Sequence, residues 1–471
     1  MSRNDLHSGS GFKPWRPLLL FGLIAASLAL LSFDADADAT VGAWGAVQTL
    51  PWRPIHSILL PTGKVLFYQR GDDARLWDPA TGSLTTPPKF GYNSFCSGHS
   101  QTGDGLILIT GGHISNGHGL PRASYYNPFA NTFARLPDMN AGRWYPTQVT
   151  LANGDVVTMS GDQENGARNL IPQVWQVSSG SWRSLTGASL STVRYPAAFL
   201  APNGKVFVAT ATSRYLNTAG SGAWTTVANR LVSSRDSYGS AAMYEVGKVI
   251  YTGGGAPASS SEVIDLNAAT PAWSAVSPMP KARRQHNATV LPDGRVLVTG
   301  GSSSVGFNTE DGPKPAIVWD PVLNRWTTWA TESEYRGYHS EAVLLADGRV
   351  ASIGGEHHPN LQVFSPPFLF MGARPTISAA PSSVALGATF FVSTPDAPSI
   401  SKVTWTRLSS VTHTKNMDQR INVLSFAPAS GGLNVTAPSS ANACPPGYYM
   451  LWLLNASGVP APARIVRVRL S

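Results

Sequence analysis

Four segments of the chain carry imidazole, phenol and thiol groups that could act together. They are the Tyr338-His339 pair in RGYHSEAV, Tyr145 in GRWYPTQV, Cys96 in NSFCSGHS and His413 in VTHTKNMDQR. No GxSxG, CxxC or HExxH motif accompanies them, which disfavours nucleophilic hydrolysis. Each residue also has a plain alternative: packing for the tyrosines, a small buried hydrophobe for Cys96 and a surface position for His413.

The elements that must position these residues are set by a repeat. An Asn-Gly, Asp-Gly or similar turn followed by an apolar run recurs seven times, at intervals of about 42 to 54 residues, close to the period of kelch blades. Each copy predicts a tight hairpin leading into a buried strand. One such blade cannot bury both of its faces, whereas seven arranged radially can. We therefore predict an all-β protein with a seven-bladed kelch-type β-propeller over residues 41–370.

Three of the four segments stand at the same place in their repeats. Cys96, Tyr145 and the Tyr338-His339 pair each lie about nine or ten residues before a turn glycine. In a propeller that position begins the innermost strand of the blade, next to the central axis. Residues at the same position of different repeats are therefore predicted to lie close together near the axis. Because adjacent strand residues point to opposite sides, Tyr338 and His339 can face one site only at a bulge or a strand end.

The residue pattern of the sequence changes after the last repeat. Residues 374–471 alternate Ser, Ala, Thr and Val with regular turn signals and no helical period, which predicts a small Ig-like β-sandwich. His413 and Cys444 fall in this part. The two cysteines of the chain, Cys96 and Cys444, would by default form a disulfide in an exported protein. Their assignment to the inner ring and to the sandwich argues against that bond.

The first residues have the pattern of an export segment. Lys13 and Arg16 precede an apolar run from Leu18 to Phe33 and the small-residue stretch Ala35-Asp36-Ala37-Asp38-Ala39. We interpret residues 1–39 as an export signal or, if retained, a membrane anchor, which predicts an extracellular or cell-surface protein. The formal net charge is +8, with scattered Lys and Arg and no dense basic run, so nucleic acid is not an expected partner. We expect a monomer.

The phrases NSFCSG, GRWYPT, YHSEAVLLADGRV, VTHTKNMDQR and PPGYYMLWLLNASGVPA, in this order, resemble the galactose oxidase and glyoxal oxidase family of copper radical oxidases. The resemblance runs from about residue 41 to the end of the chain. The RWYP context is nearer the glyoxal oxidase-like branch. The tryptophan that stacks over the redox cofactor of galactose oxidase has no counterpart at the corresponding distance after Tyr145.

The resemblance implies a role for each singled-out residue. Tyr145, Tyr338, His339 and His413 would be the ligands of one copper ion. Tyr145 would be joined to the sulfur of Cys96 by a thioether and carry the protein radical, and Tyr338 would accept the proton of the substrate. Imidazole and phenolate suit Cu(II). We also expect Arg283 or Arg284 to hold a substrate oxygen or, equally, to make a structural charge contact.

These roles imply a copper-dependent oxidase. It would oxidise a small aldehyde, as its hydrate, or a primary alcohol, and reduce O2 to H2O2. The alternative is a non-catalytic kelch propeller that binds cell-wall or extracellular polysaccharide, which would have no need of Cys96, Tyr145, Tyr338, His339 and His413 together.

Overall fold

Each sequence repeat contributes three or four strands to one antiparallel sheet in the computed structural model, which describes residues 39–70, 73–233, 238–307 and 310–471. Two short strands come first, β1 (Ala43–Trp44) and β2 (Gln48–Thr49). Blade 1 follows with β3 (His56–Leu59), β4 (Val65–Tyr68), β5 (Ala74–Trp77) and β6 (Leu84–Thr85). Blade 2 contains β7 (Gly98–Gln101) and β8 (Ile107–Thr110), then the small hairpin β9 (His113–Ser115) and β10 (His118–Gly119), then β11 (Ala123–Asn127) and β12 (Thr132–Leu136).

The next three blades have the same plan. Blade 3 is β13 (Thr147–Thr150), β14 (Val156–Met159), β15 (Gln173–Gln176) and β16 (Ser181–Ser184), followed by a 3-10 helix, Thr186–Ala188. Blade 4 is β17 (Ala198–Leu200), β18 (Val206–Val208), β19 (Thr212–Asn217) and β20 (Ala223–Asn229). Blade 5 is β21 (Ser240–Glu245), β22 (Lys248–Thr252), β23 (Ser261–Asp265) and β24 (Trp273–Val276).

The last two blades complete the ring. Blade 6 is β25 (Arg284–Val290), β26 (Val296–Ser302), β27 (Pro315–Asp320) and β28 (Arg325–Thr331). Blade 7 is β29 (Ser340–Leu344), β30 (Val350–Gly354) and β31 (Asn360–Ser365), and its outer edge is supplied by β1 and β2, which both pair with β31. The inner strand β29 also contacts β3 of blade 1. The start of the propeller is thus held to its end, and the predicted seven-bladed propeller is confirmed.

The blades follow from the turn chemistry and the apolar runs of the repeat. The turn glycines have positive φ, 81° at Gly63 and 88° at Gly154, a conformation that costs a residue with a side chain. The strands that follow these turns, such as β4 and β14, are buried at every position. The tryptophans of the third strands, Trp77, Trp175 and Trp319, are almost fully buried between sheets.

The C-terminal part is a second all-β unit of structure. After a 3-10 helix, Pro367–Phe370, come β32 (Ser383–Ala385), β33 (Thr389–Ser393), a 3-10 helix Ala397–Ser399, β34 (Ile400–Arg407), β35 (Ser410–Thr412), β36 (Lys415–Asn416), β37 (Ile421–Ala429), β38 (Gly432–Thr436), β39 (Gly447–Asn455) and β40 (Arg464–Arg469). The first half of β37 pairs with β34 and its second half with β38, so one long strand joins both sheets. The predicted sandwich is present, nearly closed on itself.

One hairpin of this C-terminal part leaves its own sheets. Strand β35 pairs with β3 of blade 1, with Thr412 opposite His56, and β36 extends the same six-stranded sheet. The hairpin therefore stands inside the propeller, beside the inner strands. The described residues from Ala39 onward form one compact unit, and the domain limits 41–370 and 374–471 stay predictions.

The predicted export segment, residues 1–39, lies outside the described residues except for Ala39. Within the described ranges, no helix is long and apolar enough to cross a membrane.

Candidate metal centre

The backbone at the entrance to the inner strands explains why equal positions in the repeat converge. Cys96, Tyr145 and His339 precede β7, β13 and β29 by one or two residues and have φ of 59°, 70° and 62°. Positive φ is uncommon for residues with a side chain and occurs preferentially at functional sites. The Tyr145 N–H donates to the Cys96 carbonyl at 2.9 Å, which joins the two blades at this level. Tyr195, Tyr238 and Gln285 have the same conformation in blades 4, 5 and 6.

His413 reaches this ring from the C-terminal part. It occupies the turn of the β35–β36 hairpin with φ 48°, and its Nε2 lies 3.1 Å from the Tyr145 Oη. The pairing of β35 with β3 holds the hairpin in this place. A histidine that is distant in sequence from the Tyr338-His339 pair therefore becomes its neighbour, as the sequence analysis expected.

The structure brings all five singled-out side chains together. Tyr338 Oη lies 2.5 Å from Tyr145 Oη, and Cys96 Sγ lies 3.6 Å from His413 Nε2. The candidate ligand atoms of Cys96, His339 and His413 lie within 4.8 Å of one another. The left-handed backbone at His339 is what lets it and its neighbour Tyr338 face the same point, and their rings stack at a centroid distance of 3.8 Å.

Hydrogen bonds determine which nitrogen of His339 faces the centre. Its Nδ1 lies 2.6 Å from a carboxylate oxygen of Glu356, and Glu356 also pairs with Arg53 at 2.6 Å. A carboxylate accepts, so Nδ1 carries the proton and Nε2 has a free lone pair. That Nε2 is buried without a hydrogen-bond partner among the described residues. Although burial alone would raise the pKa of Glu356, the hydrogen bond from His339 and the hydrogen bond and charge of Arg53 lower it.

His413 is oriented in the same way by a different acceptor. Its Nδ1 lies 2.7 Å from the Thr412 Oγ1, and that hydroxyl donates its only proton to the carbonyl of Ile55 at 2.7 Å. The Thr412 oxygen therefore accepts from Nδ1–H, which leaves Nε2 as the lone-pair atom. Burial lowers the pKa of both histidines, so each is a neutral imidazole.

The donor set fits a copper ion. Two neutral imidazoles direct Nε2 lone pairs and two phenols direct oxygens at one buried point, and imidazole and oxygen donors suit Cu(II). The unpartnered Nε2 of His339 is an observation that a bound metal would explain, because a buried polar atom is otherwise costly to leave without a partner. Oriented Nδ1–H groups are also usual behind metal-bound histidines.

The ring of Tyr145 lies between two aromatic rings. Trp144 stacks on one face at a centroid distance of 4.1 Å and an angle of 14°, and Tyr195 stacks at 4.6 Å and 22°. The Arg194 guanidinium lies 4.9 Å from the Trp144 ring and pairs with the buried Asp162 at 2.6 Å. The stacking tryptophan sought downstream of Tyr145 is thus the residue immediately before it. Burial, followed by the neighbouring Cys96 and Tyr338, raises the pKa of Tyr145.

Tyr338 faces an open cavity of about 360 Å³ beside the cluster. Its ring is half-buried and packs against Phe307 at a centroid distance of 4.6 Å. Burial raises its pKa. Cationic side chains are prominent in the cavity wall, which includes Arg53, Arg70, Trp144, Arg194, Phe307 and Glu356.

The two arginines singled out in blade 6 have other contacts. Arg283 is buried and donates to the carbonyls of Gly300 and Pro315, both at 2.8 Å, which is a structural role. Arg284 lies over the ring of Tyr238 at 4.2 Å. In the described part of the chain, neither residue lines the two cavities that border Tyr145. Cys96 and Cys444 are both free and buried in separate clusters.

Sequence reasoning missed several residues of this site. Glu356 stands beside the histidines of GGEHH, and Trp144 stands beside Tyr145, but no local pattern marks either as a partner. His56 and His99, which lie directly behind Cys96, were not singled out. His56 occurs close before the turn of blade 1, so the inner phase of the repeat was the signal that could have found it.

Comparisons with known proteins find relatives with the same domains. Residues 374–468 match the family model of the galactose oxidase-like early set domain. Galactose oxidase of Gibberella zeae is 29% identical over an alignment covering 97% of this chain and 74% of that protein. The aldehyde oxidase GLOX of Vitis pseudoreticulata is 27% identical, over 81% of this chain and 83% of that protein.

A solved structure gives the same result for the fold. It is described as a novel fungal alcohol oxidase with catalytic diversity among the AA5 family, in complex with copper; it superposes with a TM-score of 0.84 at 24% identity, over 92% of this chain and 100% of that one. The identities of 29% and 27% are too close to separate the galactose oxidase and glyoxal oxidase branches. Residues 374–468 thus form a galactose oxidase-like early set domain, and most of the chain is similar to galactose oxidase and to an aldehyde oxidase of the glyoxal oxidase kind.

Proposed function

We propose that this chain is a copper-dependent oxidase that removes two electrons from a small aldehyde, as its hydrate, or from a primary alcohol, and passes them to O2 to give H2O2. The observation that carries the proposal is the convergence of two imidazole Nε2 lone pairs, two phenol oxygens and one thiol at the axis of the propeller. The names of the relatives, galactose oxidase and aldehyde oxidase, support the same activity.

His339 and His413, through Nε2, and Tyr145 and Tyr338, through Oη, would hold the copper ion. When bound, copper supplies a one-electron redox centre and a Lewis acid for the substrate oxygen. The protein fixes both imidazoles before the metal arrives, because Glu356 and Thr412 each bind the opposite nitrogen. Such orientation lowers the reorganisation that binding requires.

Tyr338 is the proposed proton acceptor. It is the half-buried member of the cluster and faces the cavity, so a substrate hydroxyl entering there meets its oxygen first. Burial raises its pKa, which makes the phenolate oxygen a strong base once its proton has been displaced. Phe307 and His339 pack against its ring and fix the direction of Oη.

Cys96 and Tyr145 are the proposed redox pair of the protein itself. A thioether would join Cys96 Sγ to a carbon of the Tyr145 ring; the S–H and C–H hydrogens leave as two protons and two electrons, and O2 accepts them as H2O2. The two blades are already tied at this point by the bond from Tyr145 N–H to the Cys96 carbonyl. Trp144 and Tyr195 cover the faces of the ring and exclude water from the oxidised form.

The rest of the proposal concerns the setting of the enzyme. The RWYP context of Tyr145 supports small aldehydes of the glyoxal oxidase kind ahead of hexoses, and we propose them as substrates. The export-like residues 1–39 support an extracellular or cell-surface enzyme, with a membrane tether if they are retained. We propose a monomer that binds no nucleic acid.

The test is reconstitution with copper in air, followed by peroxide release from a panel of glyoxal, methylglyoxal, glycolaldehyde and galactose. We expect peroxide from the small aldehydes and its loss in His413→Ala. The control variant His358→Ala removes a histidine of the same blade whose side-chain hydrogen bond goes to Glu334 and not to the clustered residues, and it should retain activity. Folded protein that takes up no copper and releases no peroxide would instead favour a non-catalytic binding propeller.

A further inference from the structure

Two histidines lie behind the candidate copper site and take no part in it. His56, on β3, and His99, on β7, have no solvent exposure. Burial lowers the pKa of both, that of His99 to about 3, so both rings are neutral at physiological pH. Two neutral imidazoles replace the apolar side chains that such positions usually hold, and buried polar groups of this kind need complete hydrogen bonding.

The hydrogen bonds of these histidines run in one direction. The Cys96 N–H donates to His56 Nε2 at 3.1 Å, so His56 carries its proton on Nδ1. His56 Nδ1 lies 3.0 Å from His99 Nε2, and His99 Nδ1 lies 2.5 Å from Ser410 Oγ. The Ser410 hydroxyl donates to the His99 carbonyl at 3.0 Å and therefore accepts from Nδ1–H. Every donor in this series of hydrogen bonds, from Cys96 through His56 and His99 to Ser410, has an acceptor. The tautomer of each histidine is therefore determined.

One end of this series of hydrogen bonds is the backbone N–H of Cys96, the cysteine that the proposed thioether requires. Cys96 has φ 59°, a conformation that needs support from its surroundings. His56 holds its N–H, and the Tyr145 N–H holds its carbonyl. The next residue, Ser97, is held by the hydroxyls of Tyr68 at 2.9 Å and Tyr195 at 2.8 Å. The direction of the Cys96 side chain is therefore set by these partners.

The other end of the series is Ser410, which lies on the hairpin that carries His413. Ser410 is on β35, three residues before His413, and this strand reaches His56 and His99 only because it pairs with β3 inside the propeller. The hydrogen-bonded series His56–His99–Ser410, called the relay below, therefore spans blade 1, blade 2 and the C-terminal part. It links the placement of one candidate copper ligand to the placement of the thiol.

We propose that the relay His56–His99–Ser410 is a positioning device for the thioether, which presents the Cys96 sulfur to Tyr145 once the hairpin bearing His413 is docked. This inference rests on the proposed function. Among the described residues, no side-chain hydrogen bond joins these three residues to the four candidate copper ligands, and they act on Cys96 through its N–H. Loss of the relay should slow formation of the bond between Cys96 and Tyr145 and leave copper uptake intact.

The experiment follows thioether formation by intact mass, which falls by two hydrogens per chain. Copper-free full-length protein, prepared without oxygen, is given one equivalent of copper and then air. We expect Ser410→Ala and His99→Leu each to slow the loss of two hydrogens by at least about ten-fold, since small misplacements of reacting groups have effects of this size or larger. Copper content, measured in parallel, should stay at the wild-type value.

Two further variants separate positioning from general destabilisation. Ser409→Ala is the matched control, because Ser409 is equally buried, precedes Ser410 and has a side-chain oxygen without a hydrogen-bond partner within the described residues. It should react at the wild-type rate. Ser410→Thr keeps the hydroxyl and should restore the rate lost in Ser410→Ala.

The outcomes are distinct for the two levels of the proposal. Wild-type protein that binds copper and loses no hydrogen would overturn the thioether itself, and the relay with it. Wild-type protein that forms the thioether, together with Ser410→Ala and His99→Leu variants that form it equally fast, would overturn the relay alone. The relay would also be overturned if thioether formation were slowed as much in Ser409→Ala as in Ser410→Ala.

Discussion

Replacing Glu356 by Gln tests whether His339 is a copper ligand whose free nitrogen is set from behind. The glutamine keeps an oxygen that can accept from His339 Nδ1–H, now 2.6 Å from the carboxylate, and removes the charge. The hydrogen bond from His339 Nδ1–H to residue 356 then becomes weaker. The Nε2 of His339 becomes a weaker electron-pair donor to copper as a result. Copper affinity should drop while the fold is kept.

The size of the effect can be worked out from the carboxylate. Its pKa falls below 4.5 against the effect of burial, through the hydrogen bond from His339 and the hydrogen bond and charge of Arg53. Arg53 accounts for part of this lowering, and Glu356→Gln weakens the part that comes from the bond to His339. We therefore expect copper to bind about ten-fold more weakly, at the lower end of the effects known for groups that orient metal ligands.

The assay is a competition titration of copper against a chelator at pH 7. The matched control is Glu334→Gln, because Glu334 makes the same kind of bond to His358 Nδ1, at 2.9 Å, in the same blade and away from the cluster. Its copper affinity should equal that of the wild type. Equal affinities for Glu356→Gln and Glu334→Gln would refute the orientation of His339 as argued from the structure.

Three further predictions concern other residues. Tyr338→Phe should retain copper and lose roughly 10²- to 10⁴-fold in turnover, the range for a lost general base, as measured by peroxide release and copper content; unchanged turnover would remove that role. Trp144→Ala should shorten the lifetime of the oxidised Tyr145, followed by its optical absorption, because one face of the ring becomes open to water; an equal lifetime would show that the stacking is not protective. Glu341 is buried with a single hydrogen bond from Ser57, and burial raises its pKa well above 4.5, so the folded state retains a proton that the unfolded state releases. Stability should therefore fall as pH rises from 4.5 towards the folded pKa, by up to about 1.4 kcal/mol per pH unit, and denaturant unfolding of copper-free Glu341→Gln should lack this slope.

The sequence predicted the fold because the repeat is a local signal. The turn glycines and the apolar runs after them mark each blade, and their phase brought Cys96, Tyr145 and His339 to one ring without any structural information. The role of His413 as a copper ligand was expected only through the family resemblance, and the hairpin that carries it was not predicted. Its pairing with β3 depends on residues more than 350 positions apart, which no local pattern reports.

The residues that sequence reasoning missed share a physical cause. Trp144 was missed because the stacking tryptophan was sought after Tyr145. Adjacent residues on a strand point to opposite sides, but the positive φ of Tyr145 brings its ring and that of Trp144 together. Glu356, His56 and His99 act through hydrogen bonds between blades, and such contacts have no signature in a single sequence.

The central claim is one copper ion held by His339, His413 and two tyrosines, and electron paramagnetic resonance of copper-loaded protein with ¹⁵N-labelled histidine tests it most directly. The account predicts one Cu(II) per chain coupled to two histidine nitrogens, with one coupling lost in His413→Ala and none lost in His358→Ala. Copper that is absent from the folded protein, or that keeps the same couplings in His413→Ala, would contradict it.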